Sequence, residues 1–532
     1  MKIKRLLGFF ALCVAFIGLN AQEGTPYFGE SCTSIMVGKK ATTDGSIITS
    51  HTCDGNYRTW LEMVPAGDWG DTTLKEIKWG TLHTETPWDT RKLELKGTIP
   101  EASHTFAYLN TAYPCLNEKQ LAIGETTFVG KKELRNKNGL FLIEDLQRIV
   151  LQRCTTARDA IKLIGELIEE YGYGDYGECI TIADKNEVWQ LEILGEGPDK
   201  IGGVWAAQRI PDDHVGISAN ISRIGEIDFK NKDYFMASKN VKKVAKKLGY
   251  WDGKKPFKFW KAYSNWDKPF SIREYFILNA VAPSLELDYT AEEIPFSVKP
   301  DEKVSVEKVF ELYRETYADT DYDMLKNLFF FKDKKNEEGE VIGQDTIVYP
   351  GASPWMSRDL IRLFNQLKDS TVVRQRTVAV AWCSYSEVLQ TRDWLPDEVG
   401  AVAWFSFDNA AQSPRIPIFA GATSLPKGFE VCGQHQYRED AAIWSFRKAN
   451  KLATVKWQAS KDIIEENVLA FEKKAMEDMP IIEAKVKALI AEGKTEEAKE
   501  YLTKYTENFA GAARQKWEEL EKLFWGKYGR AF

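Results

Sequence analysis

The spacing of apolar residues changes character along this chain, and that change restricts the fold more than any other feature. Residues 32–37 read as a strand, Gly38-Lys39-Lys40 and Asp44-Gly45 supply turn chemistry, and residues 46–52 read as a return strand. After Asn138-Gly139 the period lengthens: Leu142, Leu146, Ile149 and Val150 recur at helical spacing. Thr156 with Asp159 three residues on is a capping arrangement, and it opens a second helix with Ile161, Ile164, Leu167 and Ile168 inward. Strand-like runs return at 179–183, 187–194, 214–221, 377–383 and 399–407, punctuated by Gly, Pro and Asp. Residues 228–345 are rich in Lys and aromatics and read as an elaboration of the core. From about 461 the sequence becomes a charged amphipathic helical tail, with Pro480 and Glu492-Gly493-Lys494 as breaks. A chain of this pattern is an α+β protein with a helical C-terminal segment.

Composition excludes several classes of function. With 44% apolar residues the 532-residue chain has ample material for a core, which rules out a disordered protein. Its 71 basic and 78 acidic residues leave a formal charge of −7, so no basic field marks a nucleic-acid partner. The N-terminus has a secretory pattern: Lys2, Lys4 and Arg5, an apolar run over 6–19, then Leu19-Asn20-Ala21 before a cut at Gln22. Export to the periplasm or the medium follows, with residues 1–21 lost and no membrane attachment afterwards. Cys13 sits within the apolar run behind Leu12, not the small residue that a lipid anchor requires, and leaves with the signal.

The other seven cysteines are scattered, and an odd number in an exported chain raises the question of a reactive thiol. No Cys-x-x-Cys pair occurs, and the five histidines (51, 83, 104, 214 and 435) are scattered, so neither a metal nor a cofactor is expected. Gly172-Tyr173-Gly174-Asp175-Tyr176-Gly177 fits G-x-G-x-x-G but has a helix before it and a strand after, the reverse of a dinucleotide site. It is a connecting loop. Asp212-Asp213 and Glu292-Glu293 read as solvated charge.

The informative segment begins at Cys32. A thiol attacks only as thiolate, so a base must accompany it. If the chain were cut between Ser31 and Cys32, the new α-amino group, with a pKa near ~8, would take the thiol proton, and one residue would be both nucleophile and base. The alternative is a buried strand cysteine. Pairing Val37 with Ser46 would set Cys32 opposite His51, with Asp54 just beyond.

The run Cys32-Thr33-Ser34-Ile35-Met36-Val37-Gly38-Lys39-Lys40-Ala41-Thr42-Thr43-Asp44-Gly45-Ser46 resembles the mature start of the C69 dipeptidases. These are N-terminal nucleophile hydrolases, related to bile salt hydrolases and penicillin V acylases. The resemblance continues through 116–125, 183–189, 213–220, 395–402 and 418–421. It implies an αββα four-layer sandwich with insertions, spanning 32–455, ahead of the helical segment 456–532. It also implies autocatalytic removal of 22–31 to expose Cys32, which attacks the peptide carbonyl to form a thioester. Asp54 matches the aspartate that orients the nucleophile's amine, Asn220 an oxyanion-hole donor, and Asn117 a second donor or substrate-orienting group. Where close relatives have Arg-Asn, this chain has His51-Thr52, so thiolate stabilisation either becomes pH-dependent or falls to another cation such as Arg223. The expected partner is a dipeptide, and a homo-oligomer is compatible with the sequence. Two rivals stand: an N-acyl amide hydrolase with the same mechanism, and a non-catalytic envelope protein that binds glycan or peptide.

Overall fold

A computed structural model describes residues 31–530. The secretory signal read at 1–21, with Cys13, lies outside the described residues, as does all of the segment 22–31 except Ser31. The described chain is α+β and is built on two large antiparallel sheets.

The first sheet has seven strands in the order Ser297–Val298, Val215–Ser218, Ser34–Val37, Ile47–Asp54, Cys383–Thr391, Val402–Phe407, Ile416–Phe419. The second has eight, and its centre is formed by Ala122–Val129, Gly177–Ala183, Val188–Gly195 and Gly203–Ile210. Ala122–Val129 lies against Ile47–Asp54, Ser34–Val37 and Cys383–Thr391 of the first sheet, so the two sheets meet face to face. Helices Ile143–Arg153 and Ala157–Tyr171 pack on the second sheet. Ile272–Val281, Val306–Tyr313, Ile443–Val455 and Thr495–Tyr528 pack on the first.

Strands buried on both faces carry continuous apolar runs. Ile47–Asp54 departs from that rule, since all eight residues are buried yet Thr49, Ser50, His51, Thr52 and Asp54 are polar. Ser50 and Thr52 bond within their own sheet and Asp54 to Arg376, while Thr49 and His51 reach across the seam, where neighbouring strands add further contacts. Thr49 Oγ1 meets Thr181 Oγ1 at 2.6 Å, Ser34 Oγ donates to the Glu125 carbonyl at 3.2 Å, and Thr126 Oγ1 meets Ser218 Oγ at 2.6 Å. Gly124 makes this closeness feasible. A Cβ there would lie 2.1 Å from the Ser50 carbonyl oxygen and 3.0 Å from Ser34 Oγ, so no other residue fits without parting the sheets.

Local sequence signals account for most elements. Thr156 caps its helix by accepting from the Asp159 amide, and Ile161, Ile164, Leu167 and Ile168 are all buried. The glycine-rich loop joins the end of that helix at Tyr171 to the strand opening at Gly177, as its order along the chain requires. Asp212, Asp213, Glu292 and Glu293 all form surface ion pairs with Lys or Arg.

Three expectations are corrected. The first hairpin pairs Val37 with Ile48, not Ser46, and Ser31 bridges Asp54. The connection is longer than a tight turn because Gly38, Lys40 and Ala41 bond to His214 and Asp212 instead of to the return strand. A two-residue slip preserves the face each side chain occupies, so Cys32 and His51 remain on one side. The run 377–383 is mostly buried but irregular: Thr377 and Val378 carbonyls accept from Arg376, and Val378 and Ala379 amides donate to the Glu315 carbonyl. The strand is the polar-looking Cys383–Thr391, which pairs along its length with Ile47–Asp54. Finally, Pro480 lies within the continuous helix Lys461–Ala491, where buried Met479 and Ile482 flank it, so packing overrides the breaker. The break is at Gly493, whose φ is 75°.

The C-terminal helices are an outer layer of the same core. Trp517 is fully buried and donates to the Gln412 carbonyl, and Thr506 Oγ1 donates to the Pro417 carbonyl. All seven cysteines in the described residues are free and buried.

Candidate active site

The start of the first hairpin places Cys32 at the seam, and the peptide bond joining it to Ser31 is held on every side. Ser31 donates its N–H to the Asp54 carbonyl at 2.8 Å, and its own carbonyl accepts from the Asp54 N–H at 2.9 Å. Arg376 grips the Ser31 hydroxyl through Nη2 at 2.7 Å and Nε at 3.1 Å, and the same Nη2 lies 2.6 Å from Asp54 Oδ2. Thr52 Oγ1 donates to that carboxylate oxygen as well, at 2.9 Å.

On the other side of the bond, the Cys32 N–H donates to Asn220 Oδ1 at 2.9 Å. Arg273, wholly buried, donates to the Cys32 carbonyl at 2.6 Å, the Ala219 carbonyl at 2.8 Å and Asn220 Oδ1 at 3.0 Å. Burial lowers the Arg273 pKa only to about 10, so it stays cationic at neutral pH. Asn220 follows the strand Val215–Ser218 and has φ of 64°, a left-handed conformation that Asn tolerates better than most residues. Its Nδ2 donates to the Thr127 carbonyl at 2.7 Å, which leaves Oδ1 for the two donors facing it.

The thiol points to the opposite sheet. Cys32 Sγ lies 3.5 Å from Glu125 Oε2, next to Gly124. Burial raises the Cys32 thiol well above its ordinary value, and the negative Glu125 adds to the rise. Burial likewise pushes Glu125 up to about 7. Its neighbour Glu178 is raised too, by burial first and then by Glu125 and Asp175. Glu125 is thus a carboxyl that changes protonation near neutrality within reach of a buried thiol.

His51 completes this side. Its Nδ1 donates to the Glu125 carbonyl at 2.7 Å, and its ring lies between Tyr113 and Tyr385 at 5.4 and 5.7 Å. Burial lowers its pKa to about 4, so it is neutral at pH 7 and carries no charge for a thiolate. This titration links to folding. Unfolded, His51 binds a proton below its ordinary 6.5; folded, only below about 4. The unfolded state therefore holds more protons in between, and stability falls as pH drops from 6.5 towards 4. His51→Asn keeps a donor towards the Glu125 carbonyl but cannot titrate. Across that interval it should lose less stability than the native chain, by on the order of 3 kcal/mol. Urea unfolding at both ends of the interval measures the difference; equal losses would show that His51 does not titrate this way.

The structure thus brings Cys32, Asp54, Asn220 and His51 together and leaves two expected groups out. Asn117 donates both amide hydrogens to the Leu151 and Cys154 carbonyls, and its Oδ1 accepts from the Lys119 and Leu121 amides. It has no donor left for an oxyanion and instead shapes its own turn. Arg223 donates to the Pro269, Pro295 and Phe296 carbonyls and supplies no charge to Cys32. Asn220 meets Cys32 through its oxygen, so the donor to the Ser31 carbonyl is the Asp54 backbone N–H. The cations at this bond are Arg273 and Arg376, and sequence reasoning missed both. Arg273 had a local signal, because Ser271-Ile272-Arg273-Glu274 is a capping box that fixes a helix start. Arg376 has none.

A family model described as Peptidase family C69 matches residues 31–469. Among curated proteins, the chain is 24% identical over 421 residues to a "Probable dipeptidase" of Latilactobacillus sakei, covering 75% of this chain and 76% of that one. It is 23% identical over 452 residues to a "Probable dipeptidase B" of Streptococcus pyogenes serotype M1, covering 79% and 78%. A "Probable dipeptidase" of Salmonella dublin is 24% identical over 420 residues, covering 75% and 83%.

Proposed function

Because the chain belongs to peptidase family C69, and is therefore a peptide-bond hydrolase, we propose that it is a dipeptidase whose nucleophile is the N-terminal Cys32, unmasked by cleavage of the Ser31–Cys32 bond. The observation that carries this reading is the grip on that one bond from Asp54, Arg376, Asn220 and Arg273, with the thiol beside a carboxyl. Two facing sheets with helices on their outer sides support the αββα sandwich of N-terminal nucleophile hydrolases. The apolar run over 6–19 supports export before the protein acts.

In the uncut chain the Cys32 nitrogen is an amide and cannot serve as base. Glu125 takes the thiol proton, and Sγ attacks the Ser31 carbonyl carbon. The oxygen gains negative charge against the Asp54 N–H, which is already in place at 2.9 Å. The C–N bond breaks as the proton taken up by Glu125 passes to the departing nitrogen, which becomes the Cys32 amine, and water hydrolyses the thioester to free a carboxylate on Ser31. In turnover the new amine takes the thiol proton, Sγ attacks the dipeptide carbonyl, and the amine passes the proton to the departing amino acid. Water then releases the acyl residue. The similarity to proteins named probable dipeptidase and dipeptidase B favours a free dipeptide over an N-acyl amide.

The purified protein should begin at Cys32, giving 501 residues after loss of 31 of the 532. It should hydrolyse dipeptides and reject their N-acetyl forms. N-terminal sequencing and paired substrates test this; a chain beginning at Gln22, or faster turnover of the acetylated substrate, would overturn it. Cleavage of freshly refolded precursor should quicken as pH rises through about 7 and Glu125 ionises. Glu125→Gln should slow cleavage by about 10²–10⁴-fold and abolish that pH dependence.

A further inference from the structure

Away from Cys32, the loop 432–435 carries Cys432 and His435 three residues apart and sets them beside the distant Glu85. Cys432 Sγ lies 3.6 Å from His435 Nδ1, and Glu85 Oε1 lies 2.8 Å from the same nitrogen. One donor atom from each of the three residues falls within 4.8 Å of the others. Cys432 is fully buried, and Glu85 Oε2 and His435 Nε2 are buried atoms without a hydrogen-bond partner. The three residues come from two distant stretches, and their backbones are fixed. The Cys432 N–H donates to the Glu85 carbonyl at 2.9 Å, the Gly433 N–H to Thr59 Oγ1 at 3.0 Å, and the Glu85 N–H to Asp89 Oδ2 at 3.0 Å.

We propose that Glu85, Cys432 and His435 form a binding site for a divalent zinc ion. Zinc bonds to sulfur at ~2.3 Å and to imidazole nitrogen at ~2.1 Å, and a tetrahedral angle between them sets the two atoms about 3.6 Å apart. The Cys432–His435 pair already has that separation. The Glu85–His435 pair needs to open by roughly half an ångström to reach the corresponding N–O edge. A thiolate, a carboxylate and a neutral imidazole leave a divalent ion with no net charge in a largely buried pocket. A sulfur–nitrogen–oxygen donor set suits zinc better than calcium or magnesium, which prefer oxygen alone. The His83 ring, centred 6.0 Å from the His435 ring, is the nearest further imidazole on that side.

The site braces the wall beside the nucleophile. Gln434 Nε2 donates to the Gly55 carbonyl at 2.7 Å, and Gly55 follows Asp54 directly. The His83 ring stacks on Tyr57, Tyr57 abuts Tyr113, and Tyr113 abuts His51. Zinc here would pin the loop 432–435 to Glu85, beside the Gln434–Gly55 contact.

The test uses the full chain, stripped with chelator and titrated calorimetrically with Zn²⁺, then with Co²⁺ to record the thiolate-to-cobalt absorption. One equivalent per chain is expected, with the absorption present in Cys32→Ala and absent in Cys432→Ser. Glu85→Gln should weaken binding by about 100-fold or more, since changing even outer partners of metal ligands costs 10–100-fold. Should Cys432→Ser fail to fold, Glu85→Gln and the Cys32→Ala spectrum decide alone. No stoichiometric uptake by the native chain, or an absorption lost in Cys32→Ala, would overturn the assignment.

Discussion

Cys32→Ala is expected to leave the chain uncut and to lower dipeptide hydrolysis by about 10⁴-fold or more, the scale on which removing an enzyme's nucleophile acts. The substitution deletes one sulfur from a site that polar contacts hold in place. The bonds from Asn220 and Arg273 reach the Cys32 backbone and survive the change. Folding should therefore persist, at a cost of about 1 kcal/mol for the small void. Intact mass and hydrolysis, read alongside a melting curve, separate loss of chemistry from loss of structure. A cut, active Cys32→Ala protein would remove Cys32 from both steps. An uncut native protein, by contrast, would remove the Cys32 amine from the mechanism.

The second large effect belongs to Arg376. Its guanidinium and the Asp54 carboxylate form an ion pair buried to 6% and 1% side-chain exposure. Removing one partner of such a pair strands the other charge and costs about 3–5 kcal/mol. Arg376→Met should cost that much, and it should also slow maturation, because the Ser31 hydroxyl loses both of its donors. Asp54→Asn in the Arg376→Met background removes the stranded charge. The double variant should be more stable than the single-variant costs sum to, by at least about 1 kcal/mol. Urea denaturation of the four proteins measures this coupling, and simple additivity would show that the two groups do not depend on each other.

What sequence could and could not show follows the range of the interactions. Thr156, Gly493 and the apolar spacing over 161–168 act within a turn of the chain, and each produced the element it signals. The register of the first hairpin is different, because His214 and Asp212 capture the turn amides from another strand. Pro480 failed as a break for a similar reason: it is itself exposed, and the burial of its neighbours Met479 and Ile482 holds the helix in place. The site divides in the same way. Cys32, His51 and Asp54 belong to one hairpin, and a family resemblance was enough to name them. Arg273 reaches Cys32 across 241 positions, from a region whose composition showed only lysines and aromatics. Asn117 shows the converse. Its residue type and position matched a donor, but only its hydrogen-bond partners reveal that both donors are taken.

Gly124 has a consequence for timing. Cys32 belongs to one sheet and Glu125 to the other, and they meet only where the missing Cβ lets the two layers close. Either half alone has a thiol without a base, or a base without a thiol. On the proposed mechanism, the cut before Cys32 therefore waits until the two sheets have packed together. A half-folded chain stays inert, and the new N-terminus certifies that the core has closed.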